Sequence, residues 1–237
     1  MTLNRKLLTS KQQSIEIVSE DAKAIEHFEK PSNFADIVLD QINGDRFYDE
    51  IFEGEDDLTI LDIGGNIGLF SLYAQDRAKA IYPVEPTPNH FHILKELTKD
   101  YPNIHPLNYA ASNEDSTIDF YINEENTTMN SLANKYGTKV EVQAKTIKSI
   151  IDELGLTHVD FIKCDIEGSE MVALTDETVG AVKDIVDVWF VEVHATDANR
   201  SWENSLNFNR DQLVNLFLRN GYNAEKYRHD AIYVYKD

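Results

Sequence analysis

From Leu58 onward the chain alternates short apolar runs with segments whose apolar residues recur at helical spacing, and this change of period marks out its elements. The runs predict strands at 58–63, 80–84, 104–110, 159–164, 187–193, 222–227 and 231–235. Between them lie helical patterns at about 67–77, 88–99, 146–154, 168–183 and 206–219, the last closed by the helix stop Asn220-Gly221. Such alternation argues for an α/β fold, a largely parallel sheet with helices on both faces. Only Arg228-His229-Asp230 joins the final two strands, too short a link for a parallel crossover, so this pair is antiparallel. The expectation is a seven-stranded sheet, mostly parallel, with one antiparallel strand.

Residues 1–57 read differently. They are polar and helical in pattern, with Ile25, Phe28, Phe34, Ile37, Val38 and Ile42 forming one apolar stripe, and they suggest an N-terminal helical cap. Asn43-Gly44 breaks that pattern, and the acidic stretch 53–57 separates it from a main domain spanning 58–237. Residues 116–145 interrupt the alternation: 117–122 and 139–144 read as the strands of an inserted hairpin around a polar stretch at 123–137. Loops of that length serve either as substrate lids or as ordinary surface excursions.

At 237 residues the chain can bury about 70–75% of its unfolded surface in one substantial domain. Its 22 Lys and Arg against 42 Asp and Glu give a formal charge of −20, which repels polyphosphate backbones and argues against a nucleic-acid substrate. The acids are dispersed, as solubility requires, and would also attract a cationic ligand. Cys164 is the only cysteine, so no internal disulfide forms, and within an apolar run it reads as a small buried hydrophobe. With neither a signal peptide nor an apolar window of membrane-spanning length, a soluble, cytoplasmic protein is expected, and the sequon Asn126-Thr127-Thr128 reads as a chance match.

The sharpest chemistry lies at Leu61-Asp62-Ile63-Gly64-Gly65-Asn66-Ile67-Gly68, a strand end, a glycine turn and a helix start. A dinucleotide fingerprint needs glycines at the first, third and sixth positions. Counted from Gly64, the third and sixth are Asn66 and Leu69, so the pyrophosphate loop is absent. The second strand stops at Glu85, where a carboxylate can hold two ribose hydroxyls. A tight turn with room for a zwitterion plus a ribose carboxylate fits S-adenosylmethionine; the glycines alone would be an ordinary βα turn.

Ligands of open α/β sheets bind beyond the carboxyl ends of the strands. Those ends carry Asp62, then Glu85 and Pro86, then Ala110, Ala111 and Ser112, then Asp165, Glu167 and Gly168, and finally Glu192 and His194. Pro86 and Ser112 thereby join the expected cofactor wall. Period-two alternation puts Glu192 and His194 on one side of their strand, and an adjacent fourth strand would bring Asp165 close. Asp165, Glu192 and His194 could bind a divalent cation such as Mg, or His194 could act as general base with a carboxylate orienting it. The plainer readings are a hydrogen-bonded strand-end histidine and, for Glu167, an acid favoured by a helix start. His90 and His92 read as surface or rim residues, and His27, His105, His158 and His229 complete no metal-ligand spacing. There is no G-x-S-x-G elbow or P-loop.

Three blocks together resemble the FkbM-type S-adenosylmethionine-dependent methyltransferases: Leu61 to Gly68 with Phe70-Ser71, then Val84-Glu85-Pro86, then Asp160 to Glu170. The resemblance spans about Leu58 to His194. It implies a Rossmann-like seven-stranded fold and O-methylation, commonly of a sugar hydroxyl or a polyketide-type natural product. It carries cofactor binding onto Asp62, Gly64, Gly65, Asn66, Gly68 and Glu85, and an active-site role onto Asp165, Glu167, Glu192 and His194. The family usually has alanine at Gly65, valine at Ile166 and alanine at Ser169, and Thr175-Asp176-Glu177 stands where a glycine commonly follows the helix after Glu170. The expected partner is a small-molecule or glycan acceptor. Two other readings share the fold: an NAD-dependent oxidoreductase, disfavoured by the missing sixth-position glycine, and a non-catalytic interaction module, disfavoured by the intact strand-end acids.

Overall fold

A computed structural model describes residues 1–30, 35–45, 48–52, 54–122 and 137–237. The chain opens not on a helix but on an antiparallel hairpin, β1 (Leu3–Leu8) and β2 (Ser14–Ser19), paired from Leu3↔Ser19 to Leu8↔Ser14. The expected, mostly helical cap over 1–57 is corrected here for residues 3–19, which form this hairpin. Leu3, Leu7 and Ile17 are buried at strand spacing, a period-two signal diluted by the polar residues between them. Helices follow: α1 (Ala22–Glu29), capped by the Asp21 carboxylate accepting from the Lys23 and Ala24 amides, then α2 (Ala35–Asp40) running into a π-helical turn, Gln41–Asp45. A 3₁₀ turn covers Asp49–Ile51.

The main sheet is built from β3 (Leu58–Ile63), β4 (Ala78–Val84), β8 (Val159–Cys164), β9 (Val186–Glu192), β10 (Asn223–Tyr227) and β11 (Ala231–Tyr235). Its order is β10-β11-β9-β8-β3-β4. All neighbours among β4, β3, β8 and β9 are parallel, and β11 lies antiparallel to both β9 and β10. The order switches direction at β3, where a cleft must open.

Six strands form the ladder, not seven. The segment expected as a third strand, 104–110, runs beside β4 but makes only the isolated bridges Ile81↔Ile104 and Val84↔Leu107. Prolines explain the loss. Ile81 N and Glu85 N donate to Asn103 and Leu107 carbonyls, so the position between them, Pro83, faces the same segment without an N–H to give. Pro106 lacks a donor on the segment's outer side.

Alternation along the strands sorts the core into two layers. Ile60, Phe161 and Phe190 face one side, with Phe70, Tyr73, Tyr48 and Phe52. Leu61, Ile162 and Trp189 face the other, beneath α5 (Ile147–Glu153) and α8 (Trp202–Arg219). Strands buried on both faces need near-continuous apolar runs, which is why they were so legible.

Helices α3 (Leu69–Ala74) and α4 (Pro88–Thr98) follow the first two strands of the main sheet. The pattern at 168–183 is two helices, α6 (Glu170–Ala173) and α7 (Asp176–Gly180), because Thr175 starts a new one with a capping box to Thr178. The inserted hairpin exists as β6 (Ser116–Ile122) and β7 (Thr138–Lys145), antiparallel and joined by β5 (Ala110–Ala111) in a separate sheet. The loop read as a lid, at 123–136, lies outside the described residues, as does Phe34. Among the described residues no helix is long and apolar enough to cross a membrane.

Candidate active site

The glycine loop leaves β3 between the tips of β4 and β8, and close contact on both sides explains its composition. A Cβ on Gly64 (φ +85°) would stand 1.8 Å from the Asp165 carbonyl oxygen, and one on Gly65 would meet Pro83 Cβ at 2.8 Å. Both amides donate to the Val84 carbonyl, at 2.9 and 3.0 Å. The loop is thereby stapled to β4, directly before Glu85.

Glu85 is buried, and backbone amides hold its carboxylate: Oε2 accepts from Asn66 N at 3.0 Å and Oε1 from Thr87 N at 2.8 Å. Burial pushes its pKa up to about 7 against the pull of the Thr87 hydroxyl and of those amides. It faces a cleft lined also by Gly64, Asn66, Pro86, Ala110, Ala111 and Phe120. Of the other expected cofactor residues, Gly65 faces a second cavity, while Asp62, Gly68 and Ser112 line neither. Asp62 lies fully buried beneath the loop, with Ser71 Oγ donating to its Oδ2 at 2.7 Å. Ser112 is buried, its Oγ 3.3 Å from Asn113 Oδ1.

His90 corrects the reading of it as a surface residue. It is only 2% exposed, lines the cleft, and packs edge-on against His27 at 5.2 Å. Burial presses its pKa to about 3, so the ring is neutral.

At the tips of β8 and β9 the acids and the histidine converge. His194 Nδ1 lies 2.9 Å from Glu170 Oε1, and its Nε2 lies 3.4 Å from Glu167 Oε2 and 3.8 Å from Asp165 Oδ1. Glu170 is fully buried, and the same Oε1 accepts from the Ile166 and Gly168 amides. Burial opposes charge on His194, but these carboxylates outweigh it and raise its pKa to about 10. The ring is an imidazolium at neutral pH.

Lys163, also buried, points its ammonium at Asp165 Oδ2 (3.1 Å) and stands 3.9 Å from Asp62 Oδ1. Burial works against its charge, yet Asp165 and Asp62 hold its pKa above the usual lysine range, and Lys163 with His194 keeps Asp165 below its own. Glu192 accepts from the Tyr48 hydroxyl at 2.7 Å, and burial beside Asp165 raises its pKa to about 7. Glu167 differs: among the described residues no hydrogen bond reaches its carboxylate, its backbone is left-handed (φ +53°), and burial beside Asp165 raises its pKa to about 8.

The expected cation trio is therefore altered. The structure brings Asp165, Glu170 and His194 within 4.8 Å of one another, with Glu170 in place of Glu192, which Tyr48 occupies. This set offers an ion one unengaged buried oxygen, Glu170 Oε2, which no donor reaches among the described residues, while its other groups are already engaged. Glu170 Oε1 already takes three donors, and the Lys163 ammonium and His194 imidazolium supply the positive charge the acids need. Glu170 and Lys163 carried no role in the sequence reading, although both sit inside the 160–170 block. An acid three residues past Glu167 was the available signal; Tyr48 gave none.

The second cavity lies across the glycine loop from the first. Its walls are His27, Ala35, Val38, Ile42 and Tyr48 on one side, and Gly65, Phe70 and Lys163 on the other. Gly64, Asn66, Asp165 and Glu167 line both cavities.

Several solved structures are similar to the chain at low identity. A SAM-dependent methyltransferase from Aquifex aeolicus matches at 11% identity and TM-score 0.49, over 92% of this chain and 98% of that one. The putative methyltransferase yhhF from Escherichia coli matches at 11% and 0.47, over 99% of each chain. Aeropyrum pernix fibrillarin, in complex with natively bound S-adenosyl-L-methionine, matches at 13% and 0.45, over 76% of this chain and 66% of that one. No curated protein is matched by the chain. The family model for the methyltransferase FkbM domain matches residues 62–224, a span that takes in the glycine loop, Glu85, the 160–170 block, Glu192 and His194. The chain belongs to the FkbM methyltransferase family.

Proposed function

We propose that the protein transfers the methyl group of S-adenosylmethionine to a hydroxyl, on a sugar or a sugar-bearing natural product. The observation that carries this reading is the wall shared by the two cavities, where Asp165 and Glu167 stand between the Glu85 cleft and the space opposite. Glu85 fits a ribose diol, since each oxygen accepts one amide and keeps lone pairs for hydroxyl donors. When bound, the cofactor supplies an electrophilic methyl on a sulfonium whose positive charge suits an acidic site.

The chain's own residues align the acceptor and receive its proton. As the acceptor oxygen bonds to the methyl carbon, the carbon–sulfur pair returns to sulfur and the hydroxyl proton must leave. His194, expected as the base, is already charged, and Nε2–H donates toward carboxylates. Glu167 is the better acceptor, being the cluster carboxylate without a hydrogen-bond donor of its own, with the imidazolium stabilising its charge. A screen of glycosides for S-adenosylhomocysteine release tests the proposal; cofactor binding with no methylated hydroxyl product would sink the O-methyl part of it.

A further inference from the structure

We infer that the cavity walled by the N-terminal segment is the acceptor pocket, and that it takes an uncharged hydroxyl compound with an apolar or aromatic body in preference to a free sugar. This rests on the methyltransferase reading. Since Glu85 belongs to the first cleft and Asp165 and Glu167 to both, molecules seated in the two cavities would meet at those two carboxylates.

The lining then states the chemistry of the occupant. Val38, Ile42, Leu69 and Phe70 offer apolar surface and Tyr48 an aromatic side chain, so a ligand bearing hydroxyls all round would lose water there and gain few partners. Among the described residues its charged groups are Lys163, Asp165 and Glu167, with Asn66 and the neutral ring of His27 as the further polar groups. An anion is disfavoured beside those charges as well, because Asp165 pairs with the Lys163 ammonium and Glu170 with the His194 imidazolium, so each cation already has its counter-charge. One hydroxyl directed at Glu167, and an aglycone against Val38 and Ile42, satisfies both halves.

Selectivity has a natural seat here. His27, Ala35, Val38, Ile42 and Tyr48 all precede the span that the FkbM family model matches, so this wall can vary while the transfer site is kept.

The test is calorimetry on the full chain saturated with S-adenosylhomocysteine, using 2-naphthyl β-D-glucoside, methyl β-D-glucoside and 2-naphthyl β-D-glucuronide as probes. The naphthyl glucoside should bind, with the methyl glucoside and the glucuronide each weaker by about tenfold or more. Val38→Trp, which fills the cavity, should weaken the naphthyl glucoside by about tenfold while leaving S-adenosylhomocysteine affinity within about twofold. Unchanged naphthyl binding in that variant, or equal binding of all three probes, overturns the inference. So does loss of S-adenosylhomocysteine from a Val38→Trp protein that keeps its circular dichroism, since the cavity would then hold the cofactor's tail. Failure of the unmodified chain to bind S-adenosylhomocysteine is a different result, and it brings down the methyltransferase reading itself.

Discussion

Glu85 and Glu167 stand at the tips of two strands of one sheet and both face the same cleft, yet the protein holds them by different means. At the β4 tip, backbone amides from the glycine loop and Thr87 hold the carboxylate. At the β8 and β9 tips, no amide among the described residues reaches Glu167, which meets instead the charges of Asp165 and His194, the latter fixed by Glu170. An amide-held carboxylate is suited to binding, because the amides that fix its oxygens do not themselves titrate. A charge-held one can exchange a proton, because its environment is tuned by groups that titrate.

The largest effect should come from the charge-held side. Glu167→Gln keeps the shape and removes the proton acceptor, and turnover should fall by about 10²–10⁴-fold with S-adenosylmethionine affinity retained. In the unmodified protein, turnover should rise as pH climbs through about 8, where Glu167 loses its proton, and fall as His194 deprotonates near 10. A rate that instead rises through pH 6 to 7 and is unaffected by Glu167→Gln would return the base role to His194.

Glu170→Ala is next. It strips a buried acceptor from one imidazolium and two backbone amides, and denaturant unfolding should show a loss of about 3 kcal/mol. A loss under about 1 kcal/mol, the size of a surface pair, would mean that Glu170 does not anchor the cluster.

Glu85→Ala should reduce S-adenosylmethionine affinity by about tenfold or more and leave the shape of the pH profile alone. A shifted profile would erase the distinction between the two carboxylates.

The smallest effect is on stability against pH. Glu85, Glu192 and Glu167 have pKa values raised from 4.5 to about 7, 7 and 8, so the fold favours their protonated forms, and that advantage is lost as pH rises through those values. His194 is raised from 6.5 to about 10, so its contribution is complete below 6.5 and disappears as pH passes 10. Both act in one direction. The neutral rings of His90 and His27, lowered from 6.5 to about 3 and 4, act the other way only below 6.5, so the thermal midpoint should decline from pH 7 to pH 10. His194→Gln should flatten the upper part of that decline, and an unchanged slope there would contradict the ion cluster.

The amide-held side was also the more legible in sequence. A glycine loop followed by a strand-end acid is local, and β3 and β8 came out at 58–63 and 159–164 because both faces of each are buried. The charge-held side depends on contacts far apart in the chain. Glu170 acquires its role only when the β9 tip delivers His194, and Glu192 is taken out of a metal set by Tyr48, whose hydroxyl arrives from the N-terminal segment. His90 sits on a helix face that the polar neighbours Asn89 and His92 made look exposed. The N-terminal hairpin was hidden for a related reason: two strands packed on one face show half the apolar signal of a fully buried pair.

The central claim is that this sheet binds S-adenosylmethionine through Glu85, and calorimetric titration of S-adenosylmethionine and NADH into the unmodified chain and Glu85→Ala tests it most directly. The account predicts binding of S-adenosylmethionine alone, weakened by about tenfold or more in the variant. NADH binding, or S-adenosylmethionine binding that the variant leaves unchanged, would contradict it.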